Sequence, residues 1–304
     1  MTAQQALAYV RGRFPAPGPA GLFDRAVITV SFHPDRLLAD GSTVAARLAA
    51  EGIYRTQFET GISNGGLGGD RLAWEERMFP GVYAGPAGRP VYGGLNLAGH
   101  PDGASPRFGS CHLVLRPEVS GRATFSHGDS VSLPAVVGTA DTFGAVWAAL
   151  LDEVSRTGRA LNLAAPSADA WVAALGAARP AAGRALDDYV EAQIHGGITL
   201  SGDVAAVVAD PSFRGTPYEA LLSSLGPELA WSPGFRLAPD AFPADVRGPE
   251  VPPLAASVAE RYGVAWLDAE VIGRAARESA GDPARLQLIK YLWHILVLFG
   301  RPAC

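Results

Sequence analysis

The segment YVEAQIHGG, residues 189–197, contains the carboxylate best suited to chemistry in this chain. If the segment forms a strand, alternation places Tyr189, Glu191 and Gln193 on one face and apolar residues on the other. A glutamate inside a sheet is costly to bury without partners, so Glu191 either faces solvent at a sheet edge or serves a site. In a site, its carboxylate would stabilise positive charge that develops on a substrate.

The pentapeptide GISNG, residues 61–65, matches the Gly-x-Ser-x-Gly pattern of serine hydrolases. In those enzymes the serine occupies a sharp turn between a strand and a helix. Here more glycines follow Ser63 before any helix begins, and no oxyanion segment of the HGGG kind precedes it. The pattern also arises readily by chance in a chain with 36 glycines. We therefore expect Ser63 to line a pocket, and keep a serine hydrolase as an alternative function.

The segment SFHPDR places His33 at the end of a predicted strand, followed by Asp35 and Arg36. A side chain at a strand end can project into a cleft, although it can equally cap a loop carbonyl. No further histidine or acidic residue stands at metal-ligand spacing from His33, so we predict no metal site. A phosphate loop of the Walker type is excluded because Lys290 is the only lysine, and no Rossmann fingerprint is present.

These residues must be positioned by a mixture of strands and helices. The pattern predicts a helix that is capped by Ser42 or Thr43 and stops at Gly52, a strand near Ile53, further strands through residue 127, and a capped helix from Ser201. We predict an α+β protein with four parts. They are an N-terminal helix (1–25), an α+β core (26–215), a helical insertion in that core (about 140–183) and a mostly α C-terminal region packed on the core (216–304).

Composition restricts the classes of function. Hydrophobic residues make up 48% of the 304 residues and charged residues 18%, which indicates a globular protein with a substantial core. The net charge of −5 and the single lysine do not indicate nucleic acid as a partner. Two cysteines do not suggest a disulfide framework, and no signal peptide or membrane span is visible, so we expect a cytoplasmic protein with no membrane partner.

Over residues 26–210 the order of parts resembles the ADP-ribosyltransferase superfamily. The similarity lies in a strand ending at His33, a helix reaching Gly52, the segments PVYGGLNL and CHLVLRPEV, and the late strand YVEAQIHGGI. The sequence is also similar to an uncharacterised bacterial family, a domain of unknown function, at QFETGISNGG and RFGSC. The first resemblance implies a split β-sheet core around the nicotinamide end of NAD, which is a co-substrate.

The same resemblance implies roles for individual residues. Glu191 matches the catalytic glutamate, His33 the residue that grips the NAD ribose, and Tyr92 the tyrosine that stacks on nicotinamide. Thr60 or Ser63 resembles the hydroxyl position of the arginine-specific branch and is the alternative to Tyr92. Further residues are expected to line the cofactor pocket, namely Arg36, Arg55, Gln57, Thr60, Ser63 and Asn64. Arg55 would replace His33 if the strands were shifted.

The resemblance implies an NAD-consuming ADP-ribosyltransferase or an NAD glycohydrolase, which is an enzyme of the glycosyltransferase kind. The acceptor of ADP-ribose stays open between a protein side chain, nucleic acid, a small molecule and water. Besides the serine hydrolase, a non-enzymatic binding or scaffold protein is a further alternative. In that case the Gly-rich middle would recognise a partner.

Overall fold

A computed structural model gives the fold over residues 2–60, 70–83, 85 and 88–303. Within these residues one large sheet is surrounded by helices, which confirms the α+β class. The strands are β1 Val27–Phe32, β2 Ile53–Tyr54, β3 Val91–Asn96, β4 Cys111–Leu115, β5 Ala123–His127, β6 Val137–Thr139, β7 Arg159–Ala160, β8 Leu163–Ala164, β9 Val190–Ile194, β10 Ile198–Thr199, β11 Val204–Ala209 and β12 Glu228–Trp231. The α-helices are α1 Thr2–Arg13, α2 Val44–Glu51, α3 Gln57–Thr60, α4 Asp70–Met78, α5 Gly144–Thr157, α6 Ala168–Ala174, α7 Leu200–Asp203, α8 Pro217–Ser223, α9 Val251–Tyr262, α10 Ala269–Glu278 and α11 Pro283–Phe299.

The main sheet has eight strands in the order β12-β11-β4-β1-β3-β9-β5-β6. Neighbouring strands are antiparallel, except that β11 and β12 are parallel. Hydrogen bonds thus join the eight strands into one sheet, where the resemblance implied a split sheet. Strand β9 lies between β3 and β5, so Glu191 is inside the sheet and not at its edge.

Local sequence signals set the ends of α2, which follows β1. The Thr43 side chain accepts a hydrogen bond from the Ala46 amide at 3.3 Å, which satisfies one of the free donors at the helix start. Gly52 ends the helix in the left-handed conformation (φ 66°) that glycine adopts without a Cβ penalty. These helix ends agree with the sequence prediction.

The predicted helix from Ser201 is wrong beyond its first turn. Helix α7 ends at Asp203, and the following segment VAAVVA forms β11, which pairs with β4 on one side and β12 on the other. Three apolar residues of β11 are buried, so pairing within the sheet prevails over the helical pattern. Strand β12 belongs to the C-terminal region, which therefore extends the sheet as well as adding helices to it.

The C-terminal helices share the main hydrophobic core with the sheet. The Trp293 indole on α11 donates hydrogen bonds to the carbonyls of Pro106 and Arg107, both at 3.1 Å, in the turn before β4. A second, smaller core joins α1, α4 and β6 around the buried Trp74. In the described part of the chain, no helix has the length and apolar character to cross a membrane.

Five histidines with lowered pKa values predict a stability that depends on pH. Burial is the main cause that lowers the pKa from 6.5 to about 4 for His112 and to about 3 for His33, His195 and His294, and it also lowers the pKa of His100. The unfolded chain therefore binds more protons than the folded one below pH 6.5, so these groups destabilise the fold as the pH falls. Asp35 and Asp210 act in the opposite direction, because burial raises their pKa from 3.8 to about 6.

Between pH 7 and pH 5 the histidines should prevail, because their effect begins at the higher pH and involves five groups. We expect the midpoint of thermal unfolding to fall by about 5 °C or more over this range. Scanning calorimetry at the two pH values measures it. His112→Gln should reduce this dependence. An unchanged midpoint in the wild type would contradict the assignment of neutral buried histidines.

Candidate active site

A cleft of about 190 Å³ opens on the polar face of the sheet, beside β1, β3 and β9; we call it the site cleft. Its polar lining comes from residues distant in the sequence, namely Ser31, His33, Arg36, Arg47, Tyr54, Arg55, Thr56, Thr60, Tyr92, Ser105, Arg107, Asp129, Tyr189 and Glu191. The sheet register explains this convergence. Gly94 lies directly opposite Glu191, and Tyr92 lies opposite Gln193, so the polar positions of β3 and β9 share a face.

Gly94 allows a loop to pass close over the sheet beside Glu191. A Cβ atom at position 94 would lie 2.7 Å from the Ala104 Cβ and 3.3 Å from the Ser105 Oγ. Only a residue without a side chain fits beneath that loop. The closeness of the loop helps to keep Glu191 buried, with 2% of its surface exposed.

The Glu191 carboxylate is held by side chains of the same sheet face. The Gln193 amide donates to Oε1 at 3.0 Å, and the Ser130 hydroxyl donates to Oε2 at 3.3 Å. Hydrogen bonds of this kind compensate for the cost of burying a carboxylate and fix its orientation. Glu191 is therefore a positioned group and not a solvated surface residue.

Gln193 is itself the end of a longer chain of hydrogen bonds. The Thr124 hydroxyl donates to the Gln193 Oε1 at 2.8 Å and lies 3.1 Å from the His195 Nε2, while the Tyr83 hydroxyl contacts the His195 Nδ1. Because the Thr124 hydroxyl has only one proton to give, it must accept from the His195 Nε2–H. The Nδ1 atom of the neutral imidazole is then an acceptor, so Tyr83 donates to it. Each hydrogen bond in this series, from Tyr83 to Gln193, is therefore donated in the direction of Glu191.

The ring of Tyr92 borders the cleft while its hydroxyl is anchored outside the sheet. The hydroxyl donates to the Glu75 carboxylate of α4, which also forms a buried ion pair with Arg89. This anchor restricts the ring to one orientation. A restricted aromatic ring suits stacking against a planar ligand.

His33 stands at the other wall of the cleft, directly after β1. Its Nδ1 atom lies 3.3 Å from the Ser110 hydroxyl, and its ring meets the Trp293 ring edge-on with 5.0 Å between centroids. Burial, and next the charge of Arg36, lower the pKa of His33 from 6.5 to about 3. At neutral pH it is an uncharged hydrogen-bonding group, which suits positioning of a substrate hydroxyl.

Four arginines give the cleft a basic side. Arg47 and Arg55 form ion pairs with acidic residues on the rim, whereas Arg107 pairs with Asp187 and lies 3.7 Å from Asp129. Burial is the main cause that lowers the pKa of the fourth, Arg36, and it remains charged at neutral pH. Glu191 and Asp129 add carboxylates to the same lining. A cleft with both signs of charge fits a ligand that has an anionic part and a part that becomes cationic.

Six of the predicted site residues line this one cleft: His33, Arg36, Arg55, Thr60, Tyr92 and Glu191. Gln57 begins helix α3, while Ser63 and Asn64 lie outside the described residues. The Thr60 hydroxyl donates to the Thr56 carbonyl at 3.1 Å.

Sequence reasoning missed several cleft residues. Ser31 could have been found from strand alternation, because it stands two positions before His33. Arg107 and Asp129 reach the cleft from turns, for which no local signal exists, whereas Tyr189 lies on the face that alternation assigned to Glu191. Burial, and next the charges of Glu191 and Asp129, raise the pKa of Tyr189 well above 10, so its hydroxyl stays protonated and available as a donor.

The described residues contain no group of three or more histidine, cysteine, aspartate or glutamate side chains placed to hold a metal ion. The cleft lining provides hydrogen-bonding and charged groups for a ligand. Its size is below that of a typical site for a drug-sized molecule, about 300 Å³ or more.

Comparison with known proteins places the chain within a family. A family model described as "Protein of unknown function (DUF3626)" matches residues 27–299, which include every element of the main sheet and the site cleft. No curated protein matches the chain. With nearly its whole length covered by the family model, the chain belongs to this family of unknown function, DUF3626.

Proposed function

We propose that the protein cleaves the bond between nicotinamide and ribose in NAD, as an ADP-ribosyltransferase or an NAD glycohydrolase. The observation that carries the proposal is the position of Glu191, which is buried inside the sheet and borders the same cleft as Tyr92 and His33. Glu191 lies on β9, Tyr92 lies on β3, and His33 follows β1. These three strands are neighbours in the sheet. The resemblance of the sequence to ADP-ribosyltransferases implies the catalytic, nicotinamide-stacking and ribose-binding roles for the same three residues.

The reaction suits the residue types present. When the C1′–N bond of NAD breaks, its electron pair goes to the nicotinamide nitrogen, and neutral nicotinamide leaves. The ribose then has oxocarbenium character, as in glycoside hydrolysis, and the Glu191 carboxylate would stabilise that charge. An acceptor or water forms the new bond at C1′ and loses a proton. No reductant or oxidant is required.

The other side chains would position the substrate. Tyr92 would stack on the nicotinamide ring, and neutral His33 would hold a ribose hydroxyl. The basic side of the cleft, with Arg36 and Arg107, suits the negative charge of the diphosphate. A cleft of about 190 Å³ has room for the nicotinamide riboside end, while the rest of NAD would extend toward these arginines.

The test is nicotinamide release from NAD by the purified wild-type protein, followed by chromatography. We expect release from NAD and none from NADH, because the uncharged dihydronicotinamide is a far poorer leaving group. Isothermal calorimetry with a non-hydrolysable carbocyclic NAD analogue measures binding apart from cleavage. A folded protein that neither binds the analogue nor releases nicotinamide would refute the proposal. Binding without release would favour a non-enzymatic role.

A further inference from the structure

Gln193 is the next residue after Glu191 on the same face of β9, and it is fully buried. The sheet register places two hydroxyl side chains of β5 against this face. Thr124 lies directly opposite Gln193, and Ser126 lies directly opposite Glu191. Side chains at opposite positions of neighbouring strands share a face and contact each other. The Gln193 amide is therefore surrounded by two hydroxyl groups and the Glu191 carboxylate.

The Gln193 amide makes three hydrogen bonds within this group. Its Oε1 atom accepts from the Thr124 hydroxyl at 2.8 Å. Its Nε2 atom donates to the Ser126 hydroxyl at 3.1 Å and to the Glu191 Oε1 at 3.0 Å. An amide nitrogen has two protons, so both of them are used in these two bonds.

The two hydroxyl groups distinguish the nitrogen of the amide from its oxygen. Ser126 donates its one proton to the Gly128 carbonyl at 3.1 Å, so it can only accept from Gln193. Thr124 accepts from the His195 Nε2–H and gives its own proton to Gln193. An acceptor thus lies beside Nε2 and a donor lies beside Oε1, and both hydroxyl groups are fully buried.

Rotation of the amide by half a turn would disrupt this arrangement at two points. Oε1 would then lie beside the Glu191 carboxylate, where two acceptors face each other without a proton between them. Ser126 would have to withdraw its proton from the Gly128 carbonyl in order to donate to Oε1. Both changes are costly because the groups are buried. The amide is therefore held in the orientation that directs an N–H at Glu191.

We propose that Gln193 is a positioning residue for Glu191, and that Thr124 and Ser126 hold its amide in the orientation that donates to the carboxylate. The effect on the reaction rests on the proposed cleavage of NAD, whereas the fixed amide is a property of the folded protein. A donated hydrogen bond orients the carboxylate and stabilises its charged form. A carboxylate that is already oriented needs no rearrangement when positive charge develops on the ribose.

Two substitutions of Thr124 test the effect on the reaction. Thr124→Val keeps the shape of the side chain and removes its hydroxyl, whereas Thr124→Ser keeps the hydroxyl and removes a methyl group. We expect kcat for nicotinamide release to fall about tenfold in Thr124→Val and to stay within about twofold of the wild type in Thr124→Ser. Binding of the carbocyclic NAD analogue should change by less than about twofold in both. A merely structural role predicts the larger effect for Thr124→Ser, which leaves a cavity.

Hydrogen exchange of the Gln193 side-chain amide, followed by NMR, measures the fixed orientation without the reaction. Its signals are assigned through their couplings to the Gln193 backbone. We expect exchange with water on the order of 10²-fold slower than for Gln287, an exposed glutamine on α11. Exchange should be faster in Thr124→Val and unchanged in Thr124→Ser. Ser126→Ala, which removes the acceptor beside Nε2, should also accelerate exchange, and it replaces Thr124→Val if that variant does not fold.

The outcomes separate this proposal from the proposed function. Gln193 amide protons that exchange as fast as those of Gln287 overturn the fixed orientation, even if nicotinamide is released. Equal kcat in the wild type and in folded Thr124→Val overturns the positioning role. Slow exchange in a protein that releases no nicotinamide supports the fixed orientation and refutes the positioning role together with the proposed function.

Discussion

Glu191→Gln should lower the rate of nicotinamide release from NAD by on the order of 10²-fold or more. The amide has the shape of the carboxylate but no negative charge, so it cannot stabilise the positive charge that develops on the ribose. Its oxygen can still accept the hydrogen bond from Gln193. The effect should therefore appear in kcat with little change in the binding of the carbocyclic NAD analogue.

Glu153→Gln is the matched control for this prediction. Glu153 lies on α5, is about one quarter exposed, and accepts a hydrogen bond from His127 at 2.9 Å, away from the site cleft. Circular dichroism and the unfolding midpoint verify that both variants fold. A Glu191→Gln protein that releases nicotinamide within about threefold of the wild-type rate would contradict a catalytic role for the carboxylate.

Trp293→Ala should reduce the free energy of unfolding by about 3–5 kcal/mol. The side chain is 3% exposed, packs edge-on against His33 and Phe235, and donates to two carbonyls in the turn before β4. Its removal leaves a cavity between α11 and the sheet as well as two carbonyls without that donor. Chemical denaturation monitored by circular dichroism measures the loss.

Trp266→Ala provides the comparison, because it removes the same side chain from a position that is 37% exposed. Trp266 lies under the guanidinium groups of Arg236 and Arg301, so we expect a loss of about 1 kcal/mol or less. Similar losses in the two variants would show that α11 does not depend on Trp293 for its packing on the sheet.

Several parts of the fold follow directly from local sequence. A cap at Ser42 or Thr43 and the stop at Gly52 were predictable because capping depends on residues within one helical turn, and the structure uses Thr43. Strand β9 and the shared face of Glu191 and Gln193 followed from alternation in five residues. These features are determined by contacts between near neighbours in the sequence.

Other parts depend on pairing between distant segments. In the run VAAVVA the three valines favour a strand and the three alanines favour a helix, so its position between β4 and β12 decides the matter. The strand in the C-terminal region was missed for the same reason. Whether eight strands form one sheet or two is set by their order, which the sequence pattern does not contain.

The candidate site also combines residues whose positions follow from local sequence with residues whose positions depend on distant parts of the chain. His33, Tyr92 and Glu191 stand on or directly after strands, so their direction could be inferred before the structure. Arg107 and Asp129 reach the cleft from turns, and the turn of Arg107 is held by hydrogen bonds from Trp293 on α11. The basic side of the cleft was therefore only partly predicted, through Arg36 and Arg55.

The hydrogen-bond chain from Tyr83 to Glu191 has a consequence for proton movement. Tyr83, His195 and Thr124 can each exchange one proton for another, but Gln193 is an amide and does not pass a proton from its oxygen to its nitrogen at neutral pH. This chain therefore orients Glu191 without relaying protons between Glu191 and His195. If the proposed cleavage of NAD takes place in the site cleft, a proton that the acceptor gives up would not reach Tyr83 or His195 by way of Gln193.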